Sequence, residues 1–257
     1  MTDQPSPVPA AFVAANGRRI AHVTHPGAAP HVVFLPGFRS DMEGSKALAV
    51  EDHARARGLG VTRLDYSGHG RSSGRFEEGT IGAWADDALA VVDAATRGPL
   101  LLVGSSMGGW IMLLVALARP ERVAGCVGIA AAPDFTEDLI WAVASTEQRA
   151  ALIDRGVHYE PSAYDEAPTP ITRALIEDGR RHLVMREPLD ITCPIHLLHG
   201  QRDPDVPWET ALTLAAHLAS EDVTIELLKD GEHRLSRPGD IARILAAVDR
   251  LAGEIAP

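Results

Sequence analysis

A short glycine-framed turn constrains this chain more than any other feature. Leu100-Leu-Leu-Val103 is continuously apolar, the pattern of a strand covered on both faces. It runs directly into Gly104-Ser105-Ser106-Met107-Gly108-Gly109, and a helical pattern over 107–118 starts at once. Strand and helix then have to meet across a sharp turn. Small residues two before and two after Ser106 give them room to approach, and the serine between them takes a strained backbone conformation. A strand that feeds a helix in this way belongs to a sheet whose next strand runs parallel.

The rest of the chain repeats that unit. Residues 11–15 and 18–24 flank Asn16-Gly17, a hairpin signal. Strand patterns follow over 31–35, 60–65, 100–103, 123–130, 195–198 and 223–228. Helical patterns lie between or after them over 45–57, 80–95, 107–118, 208–218 and 240–251. This order predicts an α/β fold in one domain over 1–257, a mainly parallel central sheet with helices on both faces. Residues 134–190 break the rhythm. Helical pieces at 139–144, 148–153 and 171–183 surround a proline-rich connector over 161–170, so the stretch reads as a small helical cap inserted into the main domain. Its apolar residues Leu139, Ile140, Trp141, Val143, Leu152 and Ile153 either form a lid over a pocket or pack the insertion onto the body.

Composition excludes several classes of function. The 257 residues carry a net charge of −11, which repels a polyanion such as nucleic acid, and no basic run offsets it. No stretch approaches the ~20 apolar residues of a membrane span. Met1–Pro9 has an acid and three prolines, unlike a signal or transit peptide, so the expected location is the cytoplasm. Cys126 and Cys193 sit in apolar contexts and read as buried structural thiols. No clustered Cys/His spacing, H-E-x-x-H or phosphate-loop motif is present, so neither metal nor cofactor is expected.

G-x-S-x-G between strand and helix makes Ser106 the candidate nucleophile, with Ser105 as its neighbouring rival. A serine hydroxyl needs a neutral imidazole to take its proton. Of eleven histidines, His233 stands apart, in Asp230-Gly-Glu-His-Arg234 between the last strand and the last helix. That loop belongs on the sheet edge where Ser106 lies. The orienting acid belongs between serine and histidine in chain order, and Asp203 follows the strand at 195–198. Asp205 and Asp134 are its rivals. Oxyanion donors are expected from the N–H of Met107, just after the nucleophile, and of Phe38, in the loop after the strand at 31–35.

With these residues in place, the chain resembles the α/β-hydrolase superfamily. The resemblance rests on Leu35-Pro-Gly-Phe38, Asp65-Tyr-Ser-Gly-His-Gly-Arg-Ser72, Gly104-Ser-Ser-Met-Gly108, His199-Gly-Gln-Arg-Asp203, Val206-Pro207 and Gly231-Glu-His233. Within that superfamily it is similar to the mitochondrial acyl-protein thioesterase and acyl-glucuronide esterase group. The residues that carry this narrower likeness include Pro36-Gly-Phe-Arg-Ser-Asp-Met-Glu-Gly-Ser-Lys-Ala47, Gly104-Ser-Ser-Met-Gly-Gly-Trp110 and Val206-Pro-Trp208. The resemblance implies a serine hydrolase that cleaves S-palmitoyl thioesters or acyl-glucuronide esters on a small molecule or an acylated protein. A general carboxylesterase or lipase, an acyltransferase and a non-catalytic binding module are the alternatives. The sequence leaves acyl length, leaving group and oligomeric state open.

Overall fold

The computed structural model describes residues 10–161 and 167–255. Met1–Pro9 and the middle of the proline-rich connector lie outside the described residues. Ten strands and seven α-helices alternate along the described chain. The hairpin comes first: β1 (Ala11–Ala15) and β2 (Arg18–His25) pair antiparallel. Asn16 and Gly17 both have positive φ, 48° and 81°, as a two-residue turn matched to the strand twist requires.

β3 (Ala28–Leu35), α1 (Ser45–Ala56), β4 (Leu59–Leu64), α2 (Ile81–Ala95), β5 (Leu100–Ser105), α3 (Met107–Ala118) and β6 (Val123–Ile129) follow. After the insertion come β9 (Ile195–Gly200), α6 (Glu209–His217), β10 (Val223–Leu228) and α7 (Pro238–Ile255). The eight-stranded sheet has the order β1-β2-β4-β3-β5-β6-β9-β10. Pairing is antiparallel at β1-β2 and β2-β4 and parallel everywhere else.

Strand alternation divides the core in two. Val33, Leu35, Leu100, Leu102, Ile195 and Leu197 face one side, where Trp84 of α2, Trp110 of α3 and Leu214 of α6 cover them. Val32, Phe34, Leu101, Val103, Val127, Ile129 and Leu198 face the other, under Val50 of α1 and Ile244, Val248 and Leu251 of α7. The same strands therefore feed both cores, which is why they read as continuous apolar runs.

The insertion differs from the expected small helical cap. A π-helical turn, Thr136–Trp141, replaces the helix expected over 139–144. α4 (Thr146–Arg155) matches the second expected piece, with a Ser145/Gln148 capping box and Gly156 in the left-handed region closing it. The expected helix over 171–183 is shorter, α5 (Arg173–Gly179) with a 3₁₀ turn after it. Ile171 belongs instead to a two-stranded antiparallel ribbon of β7 (Val157–Glu160) and β8 (Thr169–Thr172). Pro170 hid this strand in the sequence. Proline is tolerated in a two-stranded ribbon because the outer edge of each strand needs no N–H donor.

Candidate active site

Ser106 sits at the junction of β5 and α3 with φ 55° and ψ −119°. Neighbouring backbone over-determines this strain. A Cβ at Gly108 would lie 2.0 Å from the Leu35 carbonyl oxygen, and one at Gly104 would lie 2.4 Å from that of Gly108. The glycines of the motif are thus a packing requirement. Ser106 is also the N-cap residue of α3, yet its side chain makes no capping bond. Its Oγ is turned instead toward His233, 3.0 Å from Nε2.

The loops after β9 and β10 bring the other two candidates to the same sheet edge. His233 Nδ1 lies 2.7 Å from Asp203 Oδ2. The other carboxylate oxygen, Oδ1, accepts from the backbone N–H of Asp205 at 2.8 Å and of Val206 at 2.9 Å. Burial works against the charge on Asp203, but hydrogen bonds from His199, His233 and Val206 and the charge of His233 outweigh it. The carboxyl is held well below the usual carboxylate range.

Neither rival acid takes this position. Asp205 lies nearby, its carboxylate within 4.8 Å of the ligand atoms of Asp203 and His233, but it contributes its backbone N–H to Asp203. Asp134 is fully buried elsewhere and accepts from the N–H groups of Val184 and Met185, tying one root of the insertion to the other.

The two expected oxyanion donors flank Ser106. Met107 is the first residue of α3, so its N–H has no partner within the helix. The Phe38 loop packs directly on Ser106: a Cβ at Gly37 would lie 3.3 Å from that of Ser106. The Phe38 ring turns away into an aromatic cluster, with centroids 5.0 Å from Phe76, 5.8 Å from Trp84 and 5.6 Å from Phe135. The ring anchors the loop and the backbone is left to the site.

Three supporting residues had no assigned role in the sequence reading. His199 is buried in β9, and its Nε2 lies 3.2 Å from Asp203 Oδ2 and 3.1 Å from the Val206 carbonyl oxygen. It meets the same Asp203 oxygen as His233 does. His69 accepts the Arg39 N–H at Nε2, 3.3 Å, and donates from Nδ1 to the Ser67 carbonyl, 3.1 Å. Burial lowers its pKa and keeps this neutral form. Asp65 accepts from the N–H groups of Met42 and Arg71, both at 2.7 Å, and so joins the turn after β4 to the loop after β3. All three lie within the motifs His199-Gly-Gln-Arg-Asp203 and Asp65–Ser72. The signal was present, but only contacts between loops far apart in sequence assign it.

A cavity of about 600 Å³ opens beside Ser106. Phe38, Met107, Ala132, Phe135, Leu139, Ile140 and Ile171 make one side apolar, the last four of them from the insertion. Toward α1 the lining turns polar, with Ser45, Lys46, Asp205 and Ser236. Burial there, with the charge of Arg234, pushes the Lys46 amine down to about 8. Arg39 bridges the body and the insertion, donating from Nη1 to Thr169 Oγ1 at 2.8 Å and to the Ala167 carbonyl at 3.2 Å.

A model of the alpha/beta hydrolase family matches residues 32–244, a span from β3 into α7 that includes Ser106, Asp203 and His233. The chain belongs to the alpha/beta hydrolase family. Among alpha/beta hydrolases, the mouse protein named palmitoyl-protein thioesterase ABHD10, mitochondrial, is 38% identical over 230 residues, which span 89% of this chain and 77% of the relative. A monoacylglycerol lipase from Mycolicibacterium smegmatis is 26% identical over 84% of this chain and 86% of its own length. The solved structure of mouse alpha/beta hydrolase domain-containing protein 10 superimposes with a TM-score of 0.90 at 35% identity, covering 97% of this chain and 100% of that one. A structure from Agrobacterium vitis S4 gives 0.91 at 44% identity, with the same coverage. No helix among the described residues is long and apolar enough to cross a membrane.

Proposed function

We propose that this alpha/beta hydrolase cleaves acyl esters and thioesters through an acyl-enzyme on Ser106. The observation that carries the reading is the continuous hydrogen-bonded line Ser106 Oγ, His233, Asp203, with both contacts at 3.0 Å or less. His233 Nε2 takes the serine proton as Oγ attacks the acyl carbonyl. Asp203 receives the Nδ1 proton in a hydrogen bond and stabilises the imidazolium. The N–H groups of Phe38 and Met107 hold the oxyanion. The same imidazole returns its proton to the departing alcohol or thiol and, neutral again, activates water for deacylation.

The apolar half of the cavity, walled by Leu139, Ile140 and Ile171, is the acyl side, and the insertion acts as its cap. The identity to palmitoyl-protein thioesterase ABHD10 favours long-chain thioesters as substrates. Likeness to the monoacylglycerol lipase supports a second reading, hydrolysis of oxygen esters of fatty acids through the same residues.

A fluorophosphonate probe tests the nucleophile. It is expected to label Ser106, and Ser106→Ala is expected to abolish labelling and turnover. Labelling that survives in the alanine variant refutes the assignment. An S-palmitoyl peptide beside p-nitrophenyl esters from C2 to C16 then separates thioesterase from esterase.

A further inference from the structure

The chain has two cysteines, and the fold puts them together. Cys126 is buried in the middle of β6, and Cys193 is half-buried just before β9, which corrects the expectation that both are enclosed. Their sulfurs are 4.0 Å apart. The backbones are joined as well: Cys126 N–H donates to the Pro194 carbonyl at 3.0 Å, and Cys126 is the strand partner of Ile195. The residues are 67 positions apart in sequence, and the chain between them contains the whole insertion at 134–190.

The two thiols are not equivalent. Cys193 reaches solvent, and a hydrogen bond from Cys126 lowers its pKa. The same contact, together with burial, raises that of Cys126. A half-buried thiol 4.0 Å from an enclosed one is the arrangement of an attacking and a resolving cysteine. Closure needs a side-chain rotation to bring the sulfurs from 4.0 Å to bonding distance, with the strands already paired.

We propose that Cys126 and Cys193 form a reversible disulfide that closes the chain around the insertion. The oxidant is a hydroperoxide. The Cys193 thiolate attacks its terminal oxygen, the O–O bond breaks, and the departing oxygen leaves as water or alcohol. The resulting Cys193 sulfenic acid is then attacked by the Cys126 sulfur, and its hydroxyl departs as water with the Cys126 proton. Two thiols and one hydroperoxide thus give one disulfide, one water and one water or alcohol. With no third cysteine in the chain, no internal thiol competes for the sulfenic acid.

The closed loop is long, so the bond restricts the unfolded chain more than the folded one. It also ties the middle of β6 to the start of β9, where the chain returns from the insertion. The proposal does not depend on the chemistry assigned to Ser106.

Treating the purified full chain with a small molar excess of hydrogen peroxide tests it. The expected product is a monomer lighter by two hydrogens, with a Cys126–Cys193 peptide link that dithiothreitol removes. The thermal midpoint is expected to rise by roughly 5–10 °C on oxidation and to return on reduction. Cys193→Ser and Cys126→Ala are each expected to lose both the mass change and the shift. A monomer that only gains oxygen, a disulfide-linked dimer, no reaction at all, or a link that leaves the midpoint unmoved overturns the proposal.

Discussion

The edge of the main sheet and the insertion at 134–190 meet at one cavity, and they are built by different means. At the sheet edge, Ser106, Asp203 and His233 each follow a main-sheet strand within a few residues, and close backbone packing fixes the turn that carries the serine. In the insertion the pieces are short, and α4 buries only Ala151 and Leu152 while Ile153 stays exposed, as do Val143 before it and Tyr159 after it. Arg149 and Arg180 lie over the Trp141 ring in place of a second apolar layer. The proposed proton path rests on the sheet, and the wall of the cavity beside it rests on lighter construction.

If that division is right, substitutions on the two sides fail in different ways. On the sheet edge, His233→Ala and Asp203→Asn are each expected to lower kcat roughly 10³-fold or more. Asp205→Asn is expected to stay within about threefold, because its backbone rather than its carboxylate serves Asp203. Steady-state kinetics on one ester decides this, and a large loss in the Asp205 variant moves the acid to that residue. His199→Gln comes next, with a fall in kcat of about tenfold at unchanged KM, the scale of one hydrogen bond to a charged group. A loss confined to KM refutes a bracing role at Asp203.

In the insertion, Leu139→Ala with Ile140→Ala is expected to raise KM about tenfold for C12–C16 esters, through lost apolar contact, and to leave acetate esters nearly unchanged. Equal losses for short and long chains show that the insertion supports the catalytic edge itself and dissolve the contrast. The smallest effect is one of stability in the body. Burial, helped by the charge of Arg122, pushes His31 down to about 4. The unfolded chain binds that proton near pH 6.5, so the native state binds fewer protons between the two values. Its stability contribution is complete above about 6.5 and declines as pH falls toward 4. His22, His69 and His196, also in the body, are lowered by burial too. A shallower fall of Tm over that range in His31→Gln is the expected sign, and an unchanged slope assigns the dependence to the other histidines.

The same contrast explains what was legible in the sequence. Strands covered on both faces have an apolar run as their signature, and every main-sheet strand was placed within a residue or two, except that β3 begins three residues early. The G-x-S-x-G glycines and the chain order of Ser106, Asp203 and His233 carried the candidate site. The insertion was misread where local signals conflict: Pro170 argued against a strand, and Ile171 fitted a helical pattern equally well. The bracing roles of His199, His69 and Asp65 depend on which loops touch, and no periodicity within one segment encodes that.

Arg39 sets a limit on how freely the insertion can change. Its N–H is held by His69 one residue beyond Phe38, while its guanidinium reaches Thr169 and the Ala167 carbonyl in the ribbon. The cavity wall and the loop next to Ser106 therefore do not drift independently. A library that diversifies the insertion to reach new acyl groups has to keep an acceptor at position 169 or vary Arg39 along with it, and variants that ignore this coupling lose turnover while retaining the fold.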